Sequence, residues 1–345
     1  METITKHRIY WIDSLRGISA LLVAFTHVTG LILEKDHVHN NMVYYSWMLG
    51  RIGVIVFFMI SGFVIPYSLY NKSIQQFVIS RFFRLYPAYW LSVIAVIAVA
   101  GFVPLKQLLT NITMFQKLFG SEDLIGVYWT LQIELFFYFI CAALFYFGYL
   151  YKDKVIAYLY YFMLIAATGI AIERFYTVKK LPVAFPLSLS VMLLGFLYRN
   201  YYYNKDVKHL NMIKKHIGIF LFTIIPVAFL AYNKDYGFNE KWWQYLFSYV
   251  IAIAVFLIYS QYNRTNKVIL FFGNISFSLY LFHQVVIMLM EKMNLYNSIS
   301  HVAYVITFLF ISISISAISY YIIEKPFISL GKRIIKSQQQ IVSNR

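Results

Sequence analysis

The sequence predicts an all-α integral membrane protein, a bundle of about ten transmembrane helices with both termini cytoplasmic. Three observations predict it. Hydrophobic residues make up 61% of the 345 and charged residues only 13%, about half the charged share of a soluble domain. The apolar residues gather in runs of about 20, the length that crosses the hydrocarbon core. The 30 Lys and Arg residues then distribute unevenly about those runs.

Taken in order, the expected spans are roughly 10–33, 43–70, 77–103, 124–150, 154–173, 181–199, 215–232, 242–261, 267–290 and 299–323. The first is too long and too charged for a cleavable signal, and no small-x-small site follows it, so it is expected to stay as a helix. The more polar "LKQLLTNITMFQKLF" (105–119) reads as an amphipathic interfacial segment ahead of the fourth span. Nineteen of the Lys and Arg fall on the side that holds both termini, against nine on the other; Arg16 and Arg51 lie within spans. This bias places the termini in the cytoplasm and accounts for most of the net charge of +16, with no need for nucleic acid as a partner. The most basic connection is 199–216. Residues 1–335 read as a single transmembrane domain and 336–345 as a short cytoplasmic tail, leaving no room for a soluble extracytoplasmic domain. Cys141 is the only cysteine, so no disulfide framework is expected.

Ionisable groups inside a span are costly and usually functional. The first span, "IDSLRGISALLVAFTHVTGLIL", carries Asp13, Arg16 and His27. Eleven residues separate Arg16 from His27, about three turns plus 20°, so the two share one helix face about 16 Å apart. Arg16 then lies near the inner boundary and His27 in the outer half. Asp13 stands three residues before Arg16, a spacing that permits a helix-surface ion pair. The plain account of that pair is an arginine snorkelling to the interface. His27 can be a merely satisfied core histidine, but under an arginine on the same face it fits a cavity, where neutral imidazole acts as a general base.

Later spans add more. Arg81 and Arg84 in "SRFFRLYPAYW" share a face at the inner end of the third span and could grip phosphate oxygens; the alternative is a positive-inside anchor beside an aromatic belt. Glu134 lies inside the fourth span and needs a partner, for which His27 and Arg51 are the natural candidates. In the ninth span, "FFGNISFSLYLFHQVV" presents Asn274, Ser276, Ser278, Tyr280 and His283. Ser276, Tyr280 and His283 share a face, although polar packing between helices explains such a pattern equally well. Glu324 in "IEKPF" marks the inner end of the last span, beside Lys325 or the Arg16 region.

The combination resembles the membrane acyltransferase-3 family, bacterial enzymes that acylate glycans and other extracytoplasmic acceptors. The resemblance rests on "IDSLRGISALLVAFTH" with its Arg-x10-His spacing, "FFMISGFVI", the Arg-x-x-Arg of "SRFFRLYPAYW", "WTLQIE", "ISFSLYLFH" and "IEKPF", running in family order from residue 12 to 327. One departure is Thr130, where many relatives carry Ser; the hydroxyl is kept. The resemblance implies an O-acyltransferase in the bacterial inner membrane that uses cytoplasmic acyl-CoA, most often acetyl-CoA. Arg16, Arg81 and Arg84 would then hold the donor's phosphates. His27 would take the proton from a sugar hydroxyl, with Glu134 orienting its ring, or would itself carry the acyl group. Asn274, Ser278, Tyr280 and His283 are the candidates for substrate contacts or an oxyanion donor, and Asp13, Arg51 and Glu324 for structural pairing. The implied acceptors are an O-antigen, a capsule repeat or another lipid-linked saccharide, with membrane lipids as surroundings.

A second reading is a transporter or flippase for a glycan or small solute. Such carriers use repeats and broken midplane helices, and neither is clear here. No Gly-x-Ser-x-Gly elbow or phosphate loop is present, and no histidine has the Asp spacing of glycerolipid acyltransferases. No metal is expected; His37 and His39 read as plain loop residues. No motif sets an oligomeric state.

Overall fold

The computed structural model describes residues 9–36, 41–177, 179–234, 241–262 and 266–343; His37 and His39 lie outside them. The elements are helices α1 (Tyr10–Lys35), α2 (Asn41–Val64), α3 (Ile74–Ala100), α4 (Leu105–Ile112), α5 (Tyr128–Tyr146), α6 (Asp153–Thr177), α7 (Ala184–Asn204), α8 (Val207–Tyr232), α9 (Trp242–Tyr259), α10 (Lys267–Lys292), α11 (His301–Ser319) and α12 (Lys325–Ser343). Among the described residues, nine helices are long and apolar enough to cross a membrane. The tenth expected span is α7, whose polar end at Arg199 and Asn200 lowers its apolarity. Every residue from Pro186 to Arg199 is buried, so this helix is sheathed by protein and needs no lipid-compatible surface.

Local signals set the helix ends. Ser73 begins α3 with a capping box, its hydroxyl accepting from the Gln76 N–H at 3.2 Å while Gln76 returns a bond to the Ser73 N–H. The expected basic loop at 199–216 is instead almost all helix. Lys205 closes α7 in the left-handed region at φ 51°, and the Asp206 carboxylate caps α8 through the His209 N–H at 2.7 Å. That N–H and the His209 ring hold the Asp206 carboxyl below its ordinary range. Because the shift is downward, the cap is present at neutral pH and is lost only as acid protonates the carboxylate. The expected interfacial segment is α4 followed by irregular chain. At the other end, a π-helical turn (Tyr320–Glu324) joins α11 to α12, and α12 runs through residue 336 without a break.

Backbone contact between helices fixes the bundle. A Cβ on Gly62 of α2 would stand 1.7 Å from the Met192 carbonyl oxygen of α7, and one on Gly195 would stand 2.2 Å from Met59 O. The two glycines therefore form a reciprocal crossing of the small-residue kind. A second crossing joins α1 to α10: a Cβ on Gly17 would meet Gly273 N at 2.7 Å, and one on Gly273 would meet Asp13 O at 2.2 Å. At the far side, Arg51 donates to Gln244 Oε1 at 2.9 Å and lies 4.2 Å over the Tyr245 ring. Tyr245 stacks on Tyr232, and Arg174 covers Tyr232 at 4.9 Å, a ladder of cations and rings linking α2, α9, α8 and α6.

Gly62→Ala is expected to destabilise the fold by more than the ~1–3 kcal/mol of ordinary overpacking, because the obstacle is backbone. Gly218→Ala on α8, where a Cβ would meet nothing within 4 Å, is the control, expected to be neutral or stabilising by ~0.5–1 kcal/mol. Thermal unfolding of both proteins in the same detergent measures the difference.

Candidate active site

Among the described residues, two cavities bear on the site. The inner one encloses about 450 Å³ and is walled by the starts of α1 and α3, the inner ends of α2 and α7, the first turns of α5, and the first half of α10. Arg16, Arg81, Arg84 and Arg199 line it, against the carboxylates of Asp13 and Glu134. Four cations against two anions leave the lining with an excess of positive charge. Arg81 is positioned over the rings of Phe77 and Tyr138, 5.5 Å from each. Arg199 donates to Phe63 O at 2.9 Å and stacks 4.0 Å over Tyr67. Arg16 and Arg84 line the cavity with no hydrogen-bonding protein partner among the described residues, so their guanidinium donors are left for a ligand. Sequence reasoning counted Arg199 as a loop charge. Its signal was the aromatic run that follows it, "RNYYY", of which Tyr203 stacks on the guanidinium at 4.7 Å beside Phe63 and Tyr67.

Deeper in α10, Tyr280 forms the inner cavity's far wall. Thr130 donates to Val127 O at 2.9 Å, so the Tyr280 hydroxyl, 2.8 Å from Thr130 Oγ1 and 3.3 Å from Val127 O, spends its own proton on these two acceptors. One turn on stands His283, fully buried, its ring centroid 6.0 Å from that of Tyr280. His283 Nε2 lies 3.3 Å from His27 Nδ1, with ring centroids 4.9 Å apart. Each imidazole is also tied to its own helix: Nδ1 of His283 is 3.0 Å from Leu279 O, and Nδ1 of His27 is 2.9 Å from Val23 O. Carbonyls only accept, so both Nδ1 atoms carry the proton. His283 Nε2 is then a bare acceptor, shared by the His27 Nδ1–H, and the remaining nitrogen of His27, Nε2, keeps its lone pair. The pair is held in the tautomer that a general base at His27 requires.

His27 lines the second, outer cavity of about 270 Å³ with Glu34, Trp47, Gln284 and the apolar Leu31, Ile125, Ile287 and Met288. Its remaining wall, Gly126, belongs to the chain between α4 and α5, and a buried polar network pins that chain. Asn111 donates to Glu122 O at 2.9 Å and accepts from Leu124 N at 3.1 Å; Gln116 and Gln132 both donate to Asp123. Burial pushes the Asp123 carboxyl up from its ordinary range. The network closes on α10 where Val127 N donates to Gln284 Oε1 at 3.3 Å.

Several expected roles change. Glu134 does not orient His27: it faces the inner cavity and accepts from Tyr138 at 2.7 Å and Ser61 at 3.4 Å, while His283 fills the place beside His27. Arg51 is not its partner either, being bound to Gln244 and Tyr245. Asn274 and Ser278 are not placed as oxyanion donors. Asn274 follows Gly273 at the level of Asp13, some 14 Å of helix before His283. Ser278 donates to Glu324 Oε2 at 3.0 Å and Ser319 Oγ at 3.2 Å, tying α10 to the π-helical turn. Glu324 thereby comes close enough to Arg16 and Arg84 for their charges to act on it, and Asp13 acts on Arg16.

The Arg-lined cavity, the histidine pair and the outer cavity follow one another along α1 and α10, and comparison with known proteins gives this arrangement a family. A family model described as an acyltransferase domain matches residues 9–324. Nodulation protein 10 of Rhizobium leguminosarum bv. viciae is 26% identical over 152 residues, a match spanning 36% of this chain and 41% of that protein. ORF330 of Acidianus two-tailed virus, which bears the name of an acetyltransferase, is 24% identical over 289 residues, 82% of this chain and 83% of its own. No solved structure matches. With the match running from the start of α1 to Glu324, the chain belongs to the acyltransferase-3 family of multi-pass membrane acyltransferases.

Proposed function

We propose that the protein transfers an acyl group, acetyl in the first instance, from acyl-CoA in the inner cavity to a hydroxyl of an extracytoplasmic or lipid-linked saccharide in the outer cavity. The observation that carries this reading is the histidine pair standing in the wall between an arginine-lined cavity and a second cavity of mixed lining. The cytoplasmic side is the one to which the Lys and Arg bias assigns the start of α1. The donor's phosphates bind Arg16 and Arg84, with Arg81 and Arg199 as fixed neighbouring charges. The slender pantetheine arm then runs past Glu134 toward Tyr280.

In the chemical step, Nε2 of His27 accepts the proton of the sugar hydroxyl as its oxygen attacks the thioester carbonyl carbon. A C–O bond forms, the tetrahedral intermediate collapses, and the C–S bond breaks. The departing thiolate takes the proton back from the imidazolium, giving ester and free CoA. The charge that forms on His27 is stabilised through Nδ1–H by Val23 O and His283 Nε2. His283 is thus a positioning residue, a role that the sequence assigned to Glu134. The implied location is the bacterial inner membrane, with an O-antigen, capsule repeat or related glycan as acceptor.

His27→Ala is expected to lower transfer by ~10²–10⁴-fold with normal membrane insertion. Product formation from acetyl-CoA and lipid-linked saccharides, read by mass spectrometry, measures it; undiminished turnover rejects the assignment. Arg84→Ala is expected to raise the KM for acetyl-CoA by ~10–100-fold, the worth of a charged hydrogen bond, with little change in kcat. His283→Ala should reverse that split, reducing kcat while both KM values hold. His283→Gln, whose carbonyl oxygen can still accept from the His27 N–H, should recover part of the rate; a purely packing role for His283 predicts no such recovery. A wild-type protein that binds no acetyl-CoA but moves a saccharide across vesicles would favour the transporter reading.

A further inference from the structure

Positive charge near the inner cavity extends beyond the cavity's own wall. Helix α12 is docked on the turn of α3 that carries Arg81 and Arg84. Phe327 stacks on Phe83 with ring centres 6.3 Å apart, and a Cβ on Gly331 would stand 2.9 Å from Phe83 Cβ. The next residue, Lys332, is exposed, and α12 carries no acidic residue along its length. Lys72 reaches the same neighbourhood from the turn ahead of α3. Asn71 bends the chain there at φ 57°, and the Lys72 N–H bonds Leu69 O at 3.1 Å, one short turn after the wall residues Tyr67 and Ser68.

Lys72 is half-buried, and neither its ammonium nor that of Lys332 has a hydrogen-bonding or ion-pairing partner among the described residues. The buried Nε of Arg81 has no hydrogen-bond partner either. Burial and the charges of Arg81 and Lys332 push the Lys72 ammonium down from its ordinary range, with no carboxylate offsetting them. The cations therefore fall into two groups along α3. Arg84 acts on Arg16 in the cavity, where Asp13, Glu134 and Glu324 temper the field. One turn nearer the start of α3, ~4.5 Å along its axis, Arg81, Lys72 and Lys332 repel one another with no anion among them. A phosphomonoester, with close to two negative charges at neutral pH, relieves such a cluster best. Coenzyme A carries both kinds of phosphate: a diphosphate on the 5′ oxygen of its ribose and a phosphomonoester on the 3′ oxygen.

We propose that Arg81, Lys72 and Lys332 form a second anion site at the mouth of the inner cavity, which takes the 3′-phosphomonoester of an acyl-CoA donor while Arg16 and Arg84 hold the diphosphate. The inference rests on the acyl-CoA reading of the inner cavity and adds the residues that tell CoA from a donor lacking that phosphate. Lys332 lies beyond residue 324, where the family match ends, so this contact is a property of the chain's own α12.

The test uses the full-length protein in phosphatidylcholine nanodiscs, with affinity read by calorimetry for acetyl-CoA and for its 3′-dephospho form. The wild type is expected to bind acetyl-CoA roughly tenfold or more tightly than the dephospho donor, the worth of charged hydrogen bonds. Lys332→Ala and Lys72→Ala should each weaken acetyl-CoA about five- to tenfold and hold the dephospho donor within about twofold, which closes the gap. Arg84→Ala should weaken both donors alike and keep the gap. Lys336→Ala, one turn further along the same face of α12, should leave both donors within about twofold. Equal affinity of the wild type for the two donors overturns the site. So does equal weakening of both donors in Lys332→Ala, which a diffuse field or a purely structural lysine predicts. The same titrations in discs containing phosphatidylglycerol address a lipid ligand: lysines that matter only there hold headgroups, and the site is overturned. Wild-type protein that binds neither donor overturns the acyl-CoA reading itself.

Discussion

The register of α1 against α10 is the constraint on which the site depends. At Gly17 and Gly273 the two backbones touch, and no side chain fits between them. The helices run parallel from that point, and ten residues later, ~15 Å on, each presents a histidine: His27 on one and His283 on the other. Equal intervals from one contact bring the two rings within 3.3 Å without any long-range adjustment. A slip of one residue on either helix would rotate its imidazole by ~100° and dissolve the pair. The glycines hold no chemistry, yet they set where the chemistry happens.

Around this axis the protein handles charge in two ways. Arg51, Arg174 and Arg199 are engaged by aromatic faces and oxygens that the protein itself provides, which tolerates a guanidinium deep in the bundle. Arg16 and Arg84 meet the inner cavity instead, with Glu324 and Asp13 near enough to temper their field. The first group stiffens the structure. The second group leaves guanidinium donors facing the inner cavity, where the phosphates of the proposed donor would bind.

The first of these layers was legible in the sequence. Apolar runs gave the spans, and the eleven-residue step from Arg16 to His27 gave one face of α1, because both are properties of a single helix. Arg81 and Arg84 were found the same way. What escaped were relations between helices. Nothing local distinguishes Glu134 from His283 as the neighbour of His27, since either lies on a helix that could face it; the choice is made by the Gly17–Gly273 contact. Ser278 read as an oxyanion candidate from the polar stretch "NISFSLYLFH", but its hydroxyl is spent on Glu324 and Ser319 at a π-helical turn that spacing does not announce. Arg199 was hidden because a basic residue after an apolar run looks like the end of a span, whereas here α7 continues past it to Asn204 and the guanidinium is buried.

Under the mechanism proposed above, the location of the histidine pair has a consequence for the reaction. A thioester exposed to water in either cavity would be open to hydrolysis, and a transfer enzyme must favour the sugar hydroxyl over water. In this fold the proposed base, His27, is in the dividing wall, with His283 fully buried and Tyr280 sealing the inner side with its proton already bonded. The donor carbonyl reaches His27 only by entering that wall. The acceptor hydroxyl reaches it only from the other side, beside Trp47. On the proposed mechanism each substrate would exclude water from the other's path, and neither would have to cross the bilayer for the acyl group to do so.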